Sequence, residues 1–256
     1  KVYLNLKKGA LGGPQVWTSP FRMLLEQRGF QIVDDLHSDW LAGLFVIDSE
    51  GMERALQPGR VVGYRVANGY LPLWFQTMQR PMKPEHHTIN ATIARALEIA
   101  DIIIYQSSWA KQILDSALYH RQDRFAIIHN GVDLQRFNKN EAVRSGLPMI
   151  GTVGLLRYRY RLETFFEASR RIQTPHHLLI VGSLDDECSQ VLRRYQADPL
   201  IGPRITYQAQ VPAEELPALY QKMSLLIHPV CGDVCPNVVI EALACGVPVV
   251  APRYGG

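Results

Sequence analysis

Residues 231–252 read CGDVCPNVVIEALACGVPVVAP, a polar turn that runs into a short amphipathic segment and then an apolar one. Pro236 suits a first helical turn, where its missing N–H costs nothing, and Gly246 suits the left-handed residue after a last turn. The spacing predicts a helix over 236–245 and a strand in VPVVAP. Asp233 then falls in the loop before the helix and Glu241 within it. A helix start carries unpaired N–H groups and a positive dipole end, a natural seat for phosphate, so the two carboxylates are placed to bracket a diphosphate. One acid then meets hydroxyls of a sugar and the other hydroxyls of a ribose. An ordinary loop acid and a solvated helix acid are the structural alternative.

Outward from this stretch, short β-branched runs alternate with longer helical patterns, the signature of βαβ units and a mostly parallel sheet. The C-terminal half reads strand PMIGTVG, helix RLETFFEASRRI, strand HHLLIVGS, helix DECSQVLRRYQAD, strand RITYQA, helix AEELPALYQKM and strand SLLIHPV. The N-terminal half reads strand KVYLNL, a glycine-rich KKGALGGPQV, helix SPFRMLLEQRG, then FQIV, LAGLFVID, VVGYRVANG, helix INATIARALEIA, strand DIIIYQSS, a helix from Ser108, and FAIIHNGVD. NKNEAVRSGL (138–147) is polar and lacks apolar periodicity. The expected organisation is an α/β chain of two doubly wound domains, 1–138 and 148–256, joined by a linker at 139–147. Open α/β sheets bind ligands outside the carboxyl ends of their strands, so two such domains facing each other make an interdomain cleft.

Bulk properties narrow the function classes. The chain has 256 residues, 47% of them hydrophobic, enough for two medium domains of about 100–200 residues. A net charge of +3, from 27 basic and 24 acidic residues well interspersed, offers no footprint for nucleic acid. Cys188, Cys231, Cys235 and Cys245 accompany no secretory signal, which points to reduced thiols and a cytoplasmic setting. Cys231 and Cys235 lack a second pair at zinc spacing, so no metal is expected. No apolar run reaches the ~18 residues of a membrane-spanning helix, leaving a soluble chain or one held peripherally at the inner membrane face. Starting at Lys1 inside a strand-like run and stopping at Gly255-Gly256, the sequence has the aspect of a piece of a longer protein.

The C-terminal residues resemble the retaining GT-B glycosyltransferases of family four, whose fingerprint is an acid, seven residues and then Glu. Here that reads Asp233, VCPNVVI, Glu241, ALACGVPVVAP and Gly255-Gly256. The family usually has Glu first, so Asp233 shortens that arm by one methylene. IIHNGVDLQRF (127–137) resembles the family's NGVD…F element, and Asn130-Gly131 also suits any tight turn after a strand. GTVGLLRYRYRLETFFEA (151–168) resembles the segment carrying an Arg and a Lys that bind the donor diphosphate. Those two positions are Leu155 and Tyr160 here, while Arg157, Arg159 and Arg161 alternate nearby, either to supply the charge or as a solvated basic turn. Gly12 and Gly13 resemble the family's first loop, where backbone approaches donor and acceptor. They do not spell the GxGxxG fingerprint, which disfavours an NAD site. Arg65 and Asn68 match the family's cleft-facing strand end. Leu216 and Tyr220 lie where the family packs the nucleotide base and read equally as core. For His228, core packing leads.

The resemblance implies an enzyme of the hexosyltransferase type. It would move a sugar from a nucleoside diphosphate sugar to a carbohydrate, lipid-linked or other hydroxyl acceptor, without a metal or other cofactor. Asp233 would hold the donor sugar, Glu241 the ribose, and Gly12, Gly13, the three arginines, Pro236, Asn237 and Val238 the rest of the donor. The alternatives are a non-catalytic nucleotide-sugar or carbohydrate binder, degenerate at Leu155 and Tyr160, and another GT-B enzyme such as a sugar-nucleotide epimerase. An epimerase would want a carboxylate from the N-terminal half, where Asp48 and Glu50 are the candidates.

Overall fold

The computed structural model describes residues 1–5, 13–46, 49–66, 69–71, 75, 81–140 and 146–256. They form two compact units. One comprises Lys1–Asn130 with Gly232–Cys235 and Gly255–Gly256, and the other comprises Gly131–Cys231 with Pro236–Tyr254. Gly12, Asn68, Asp48 and most of the expected linker lie outside the described residues.

The first unit carries a parallel sheet of β1 (Val2–Asn5), β2 (Ile32–Val33), β3 (Ala42–Val46), β4 (Val61–Arg65), β5 (Ile102–Tyr105) and β6 (Phe125–Ile127). Their order is β2-β1-β3-β4-β5-β6. Between the strands run α1 (Gly13–Gln27), the short α2 (Met52–Ala55), α3 (Pro84–Ile99) and α4 (Ser108–Ala117). The start expected for α1 at Ser19-Pro20 is overturned, because Pro20 lies inside the helix. Gly13-Pro14 offers the same proline-in-first-turn chemistry earlier in the chain. Gly13 is therefore the first residue of α1. The core is aromatic: Tyr3 stacks on Trp40 at 5.3 Å, and the Arg60 guanidinium covers Trp40 at 4.1 Å. Helix α3 has no basic residue in its last turn. Its carbonyls are met instead by the buried Arg121, which donates to Leu97, Glu98 and Ala100, each at 3.0 Å.

The second unit repeats the plan with β7 (Met149–Val153), β8 (His177–Val181), β9 (Ile205–Gln208), β10 (Leu225–Ile227) and β11 (Val249–Val250). These are all parallel, in the order β11-β10-β7-β8-β9. The chain moves outward from β7 to β9 and then crosses back to β10, so the order reverses between β7 and β10. Helices α5 (Arg159–Arg170), α6 (Asp186–Gln196), α7 (Leu216–Lys222) and α8 (Asn237–Ala244) cover the sheet. Each of α5 and α6 buries one helical stripe: Leu162, Phe165, Phe166 and Ser169 on α5, and Cys188, Val191, Leu192 and Tyr195 on α6. Phe166 stacks on Tyr195 at 4.1 Å, and burying each such ring stabilises the fold by roughly 2–3 kcal/mol.

The carboxyl ends of β7 and β8 are drawn together by glycines. Gly154 and Gly182 have φ of +133° and +126°, and a Cβ on Gly182 would stand 2.0 Å from the Gly154 carbonyl oxygen. Gly182→Ala should therefore cost about 1–3 kcal/mol of overpacking in addition to the backbone strain. Gly59→Ala is the control: its φ is +82° but its surroundings are open, so only the strain of roughly 1–2 kcal/mol remains. Equilibrium urea unfolding of both variants checks the difference, and equal losses would refute the close approach.

Candidate functional site

In an open parallel sheet the strand-order reversal opens a crevice outside the strand carboxyl ends. In the second unit it falls between β7 and β10, and the segments that follow those strands are the Gly154–Tyr158 turn and α8. They meet there: a Cβ on Gly154 would lie 4.0 Å from the Val238 side chain at the start of α8.

Helix α8 keeps nearly its expected bounds. Pro236 is the residue immediately before it rather than inside it, and the Pro236 carbonyl accepts from Val239 and Ile240 at 3.1 and 3.3 Å. Gly246, with φ +70°, closes the other end, where Val247 N–H donates to Ala242 and Gly246 N–H to Leu243, both at 2.9 Å. Glu241, only 8% exposed, projects from this helix into the second unit's interior. The hydroxyl of Tyr220 on α7 donates to its Oε2 at 2.9 Å. Burial pushes the Glu241 carboxyl above its ordinary range, against the opposing influence of the Tyr220 hydrogen bond and the Arg136 positive charge.

Arg136 reaches this carboxyl through the NGVD…F element. Asp133 accepts from the N–H of Gln135 at 2.9 Å and its carbonyl from Phe137 N–H at 2.7 Å, turning the chain so that Phe137 enters the core. The Phe137 ring lies 6.2 Å from that of Tyr220, with the Arg136 guanidinium 5.1 Å above it.

The three arginines have distinct fates. Arg159 pairs with Glu163 one turn along α5, at 3.3 Å. Arg161 donates to the Leu155 carbonyl at 3.3 Å and lies over the rings of Tyr158 and Tyr160. Arg157 is exposed, and its guanidinium has no ion pair among the described residues. The turn that carries it is held by Asp185, whose Oδ2 accepts from Tyr158 N–H at 2.9 Å while Oδ1 caps α6 through Cys188 N–H at 2.8 Å. Tyr158 sits at φ +71°, a conformation non-glycine residues rarely adopt. At the two positions where the resemblance called for Arg and Lys, Leu155 is 50% exposed and Tyr160 half-buried.

The remaining candidates belong to the first unit, apart from His228, which lies in the second. Asp233 lies in the segment Gly232–Cys235, where its Oδ1 accepts from Cys235 N–H at 3.3 Å. Arg65, at the end of β4, is 4% exposed and donates to the Asn130 side-chain oxygen, and Asn130 in turn donates to the Cys235 carbonyl at 2.8 Å. Burial lowers the Arg65 pKa to about 10, which leaves it cationic at neutral pH. Gly13 opens α1. His228 is buried, its backbone N–H bonded to Val250 at 2.8 Å. The sequence signals missed Tyr220 and Arg136 as partners of Glu241, although Arg136 sits inside the quoted NGVD…F element and Tyr220 in a helix read equally as packing a nucleotide base and as core.

The raised Glu241 value has a consequence for stability. Between the ordinary carboxylate range and that raised value, the folded chain holds a proton that the unfolded chain releases, so stability falls as pH rises through this window. Glu241→Gln retains shape and an acceptor for Tyr220 but does not titrate. Melting midpoints of the two proteins should diverge from acid toward neutral pH, with the variant higher; a constant difference across pH would contradict the buried charge.

Three comparisons complete the description. Residues 147–256 match the family model described as Glycosyl transferases group 1. A D-inositol 3-phosphate glycosyltransferase of Acidothermus cellulolyticus is 26% identical over 188 residues, 63% of this chain but 42% of that protein. A GDP-mannose-dependent alpha-mannosyltransferase of Mycobacterium tuberculosis is 28% identical over 95% of this chain and 62% of its own length. The chain thus spans about two-fifths of the length of the first curated relatives it matches. Among solved structures, Anabaena HepE in complex with UDP-glucose superposes with a TM-score of 0.73 at 17% identity, covering 100% of this chain and 81% of that one. Two parallel doubly wound sheets and the structural likeness agree on a GT-B fold, and within it residues 147–256 are similar to the group 1 glycosyl transferases.

Proposed function

We propose that the protein moves a sugar from a nucleoside diphosphate sugar to an acceptor hydroxyl, with retention of anomeric configuration. The observation that carries this reading is the buried carboxylate of Glu241 on the helix that follows β10, beside the strand-order reversal of the second sheet. A carboxylate there accepts hydrogen bonds from the two hydroxyls of a ribose. The start of α8 at Asn237 and Val238 and the exposed Arg157 stabilise negative charge as the diphosphate leaves. The role of Asp233, holding the donor sugar, rests on its motif position. In the transfer the bond from the sugar to the diphosphate breaks and the acceptor oxygen bonds to the same face. Its proton passes to an oxygen of the departing phosphate, so no protein base is assigned. A relative named for GDP-mannose and a fold neighbour solved with UDP-glucose support this donor class. The acceptor belongs to the carbohydrate or lipid-linked hydroxyl class, and a lipid-linked acceptor would bring the protein to a membrane surface peripherally.

A second reading has its own observation. With Leu155 and Tyr160 at the diphosphate positions, the chain would bind a nucleotide sugar without transferring it. Titration calorimetry of the full chain with UDP, GDP, ADP and their sugar conjugates, alongside an assay for nucleotide release, separates the two. Expected are micromolar binding of one nucleotide and its loss in Glu241→Ala. Binding without release in the presence of simple sugar acceptors would favour the binder, and a folded chain that binds none of them would sink both. Arg157→Ala should weaken the same nucleotide roughly 10- to 100-fold, the scale of a lost charge-assisted hydrogen bond. Arg159→Ala, whose side chain is committed to Glu163, should leave affinity unchanged.

A further inference from the structure

Ribose recognition by a single glutamate raises a physical difficulty. A free carboxylate side chain samples several rotamers and loses that freedom on binding, and a buried one tends to take up a proton, which spoils it as a double acceptor. Glu241 meets both difficulties with one neighbour. Among the described residues, Tyr220 is the side chain that hydrogen-bonds it, through Oε2 at 2.9 Å. Tyr220 is wholly buried, on a helix different from that of Glu241, and its ring is wedged against Phe137. The donor therefore cannot follow the carboxylate if the carboxylate swings.

We propose that Tyr220 is a positioning residue for nucleotide recognition: its hydroxyl pins one oxygen of Glu241, so that the other is presented to the ribose hydroxyls of a nucleoside diphosphate. This rests on the role given to Glu241 in the preceding subsection. The same bond favours the charged carboxylate, because a phenol donates to it more strongly than to the neutral acid. Among the described residues, the charged and titratable groups around the pair are Arg136, from the turn after β6, and Cys245, the residue that follows α8, close to Tyr220. Arg136 adds positive charge without a hydrogen bond to the carboxylate, so the directional part of the arrangement belongs to Tyr220 alone.

The test is Tyr220→Phe in the full chain, which keeps the ring and removes the oxygen. Affinities for UDP, GDP and ADP, and for their 2′-deoxy counterparts, are measured from acid to neutral pH together with the melting midpoint. Expected is a folded variant whose affinity for the preferred ribonucleotide falls about 10-fold, the scale of one hydrogen bond to a charged group. Its preference for ribose over deoxyribose should shrink, and the pH below which binding fades should rise. A purely packing role would move the melting midpoint alone. A folded variant with wild-type ribose preference and wild-type pH profile overturns the inference. If the variant does not fold, 3-fluorotyrosine at position 220, a more acidic phenol of nearly the same shape, should shift the fading point downward, and an unmoved profile overturns the inference equally. The two readings fail separately: wild type that binds no nucleoside diphosphate removes the role of Glu241 itself. Binding lost in Glu241→Ala but intact in Tyr220→Phe removes only the pin.

Discussion

A parallel strand cannot return through a two-residue hairpin; its successor must be reached by a crossover, here almost always a helix. That constraint places every strand carboxyl end of a sheet along one edge and every following turn and helix start beside it. In the second unit the step back from β9 to β10 then leaves β7 and β10 as neighbours with their connections leading away in opposite directions. The turn after β7 and the helix after β10 are thereby brought together. Gly154 and Gly182 allow the backbone of that turn to lie directly on the β8 exit, and Asp185 ties it there. The candidate site is built from these connections, and the sheet supplies only their positions.

Glu241 illustrates the tension between a stable interior and a useful one. A buried ionised carboxylate is a net cost to the fold unless its partners are well placed, and an apolar residue would serve packing better. Its neighbours offset the cost in different ways. Tyr220 supplies direction from α7, and Arg136 supplies charge from a turn built by Asp133 and Phe137. Two stretches from outside α8 thus converge on one side chain.

The basic turn shows how the same residue type can acquire unlike tasks. Arg159 falls on the outer face of α5, one turn from Glu163, so it is held by a surface pair worth little. Arg161 folds back over two tyrosines and the Leu155 carbonyl, bracing the turn. Arg157 precedes the helix, on the strained segment ending at Tyr158, and remains exposed. Equal charge in alternate positions gives a phosphate candidate, a brace and a solvated pair because the chain changes from turn to helix between them.

Much of the fold was legible in the residues themselves. Runs such as LLIV within β8 and the largely apolar MIGTV of β7 are buried at successive positions because parallel strands are covered on both faces, and the stripes of α5 and α6 repeat at helical spacing. Pro236 and Gly246 bounded α8 to within a residue, since caps are local chemistry. The start of α1 was not legible, because Gly13-Pro14 and Ser19-Pro20 both spell a helix start and local chemistry does not choose between them. The acid-and-glutamate motif singled out Glu241 as a candidate but said nothing of what surrounds it. Its burial, its bond to Tyr220 and the nearness of Arg136 depend on which helices meet, and side chains far apart in sequence are brought together only by packing. The sequence by itself thus determined the elements, their parallel alternation and the family motif, all set by spacing along the chain. Only the tertiary structure decided which arginine folds back to brace the turn and which tyrosine holds the carboxylate, because each of those facts is a contact that spacing along the chain does not spell out.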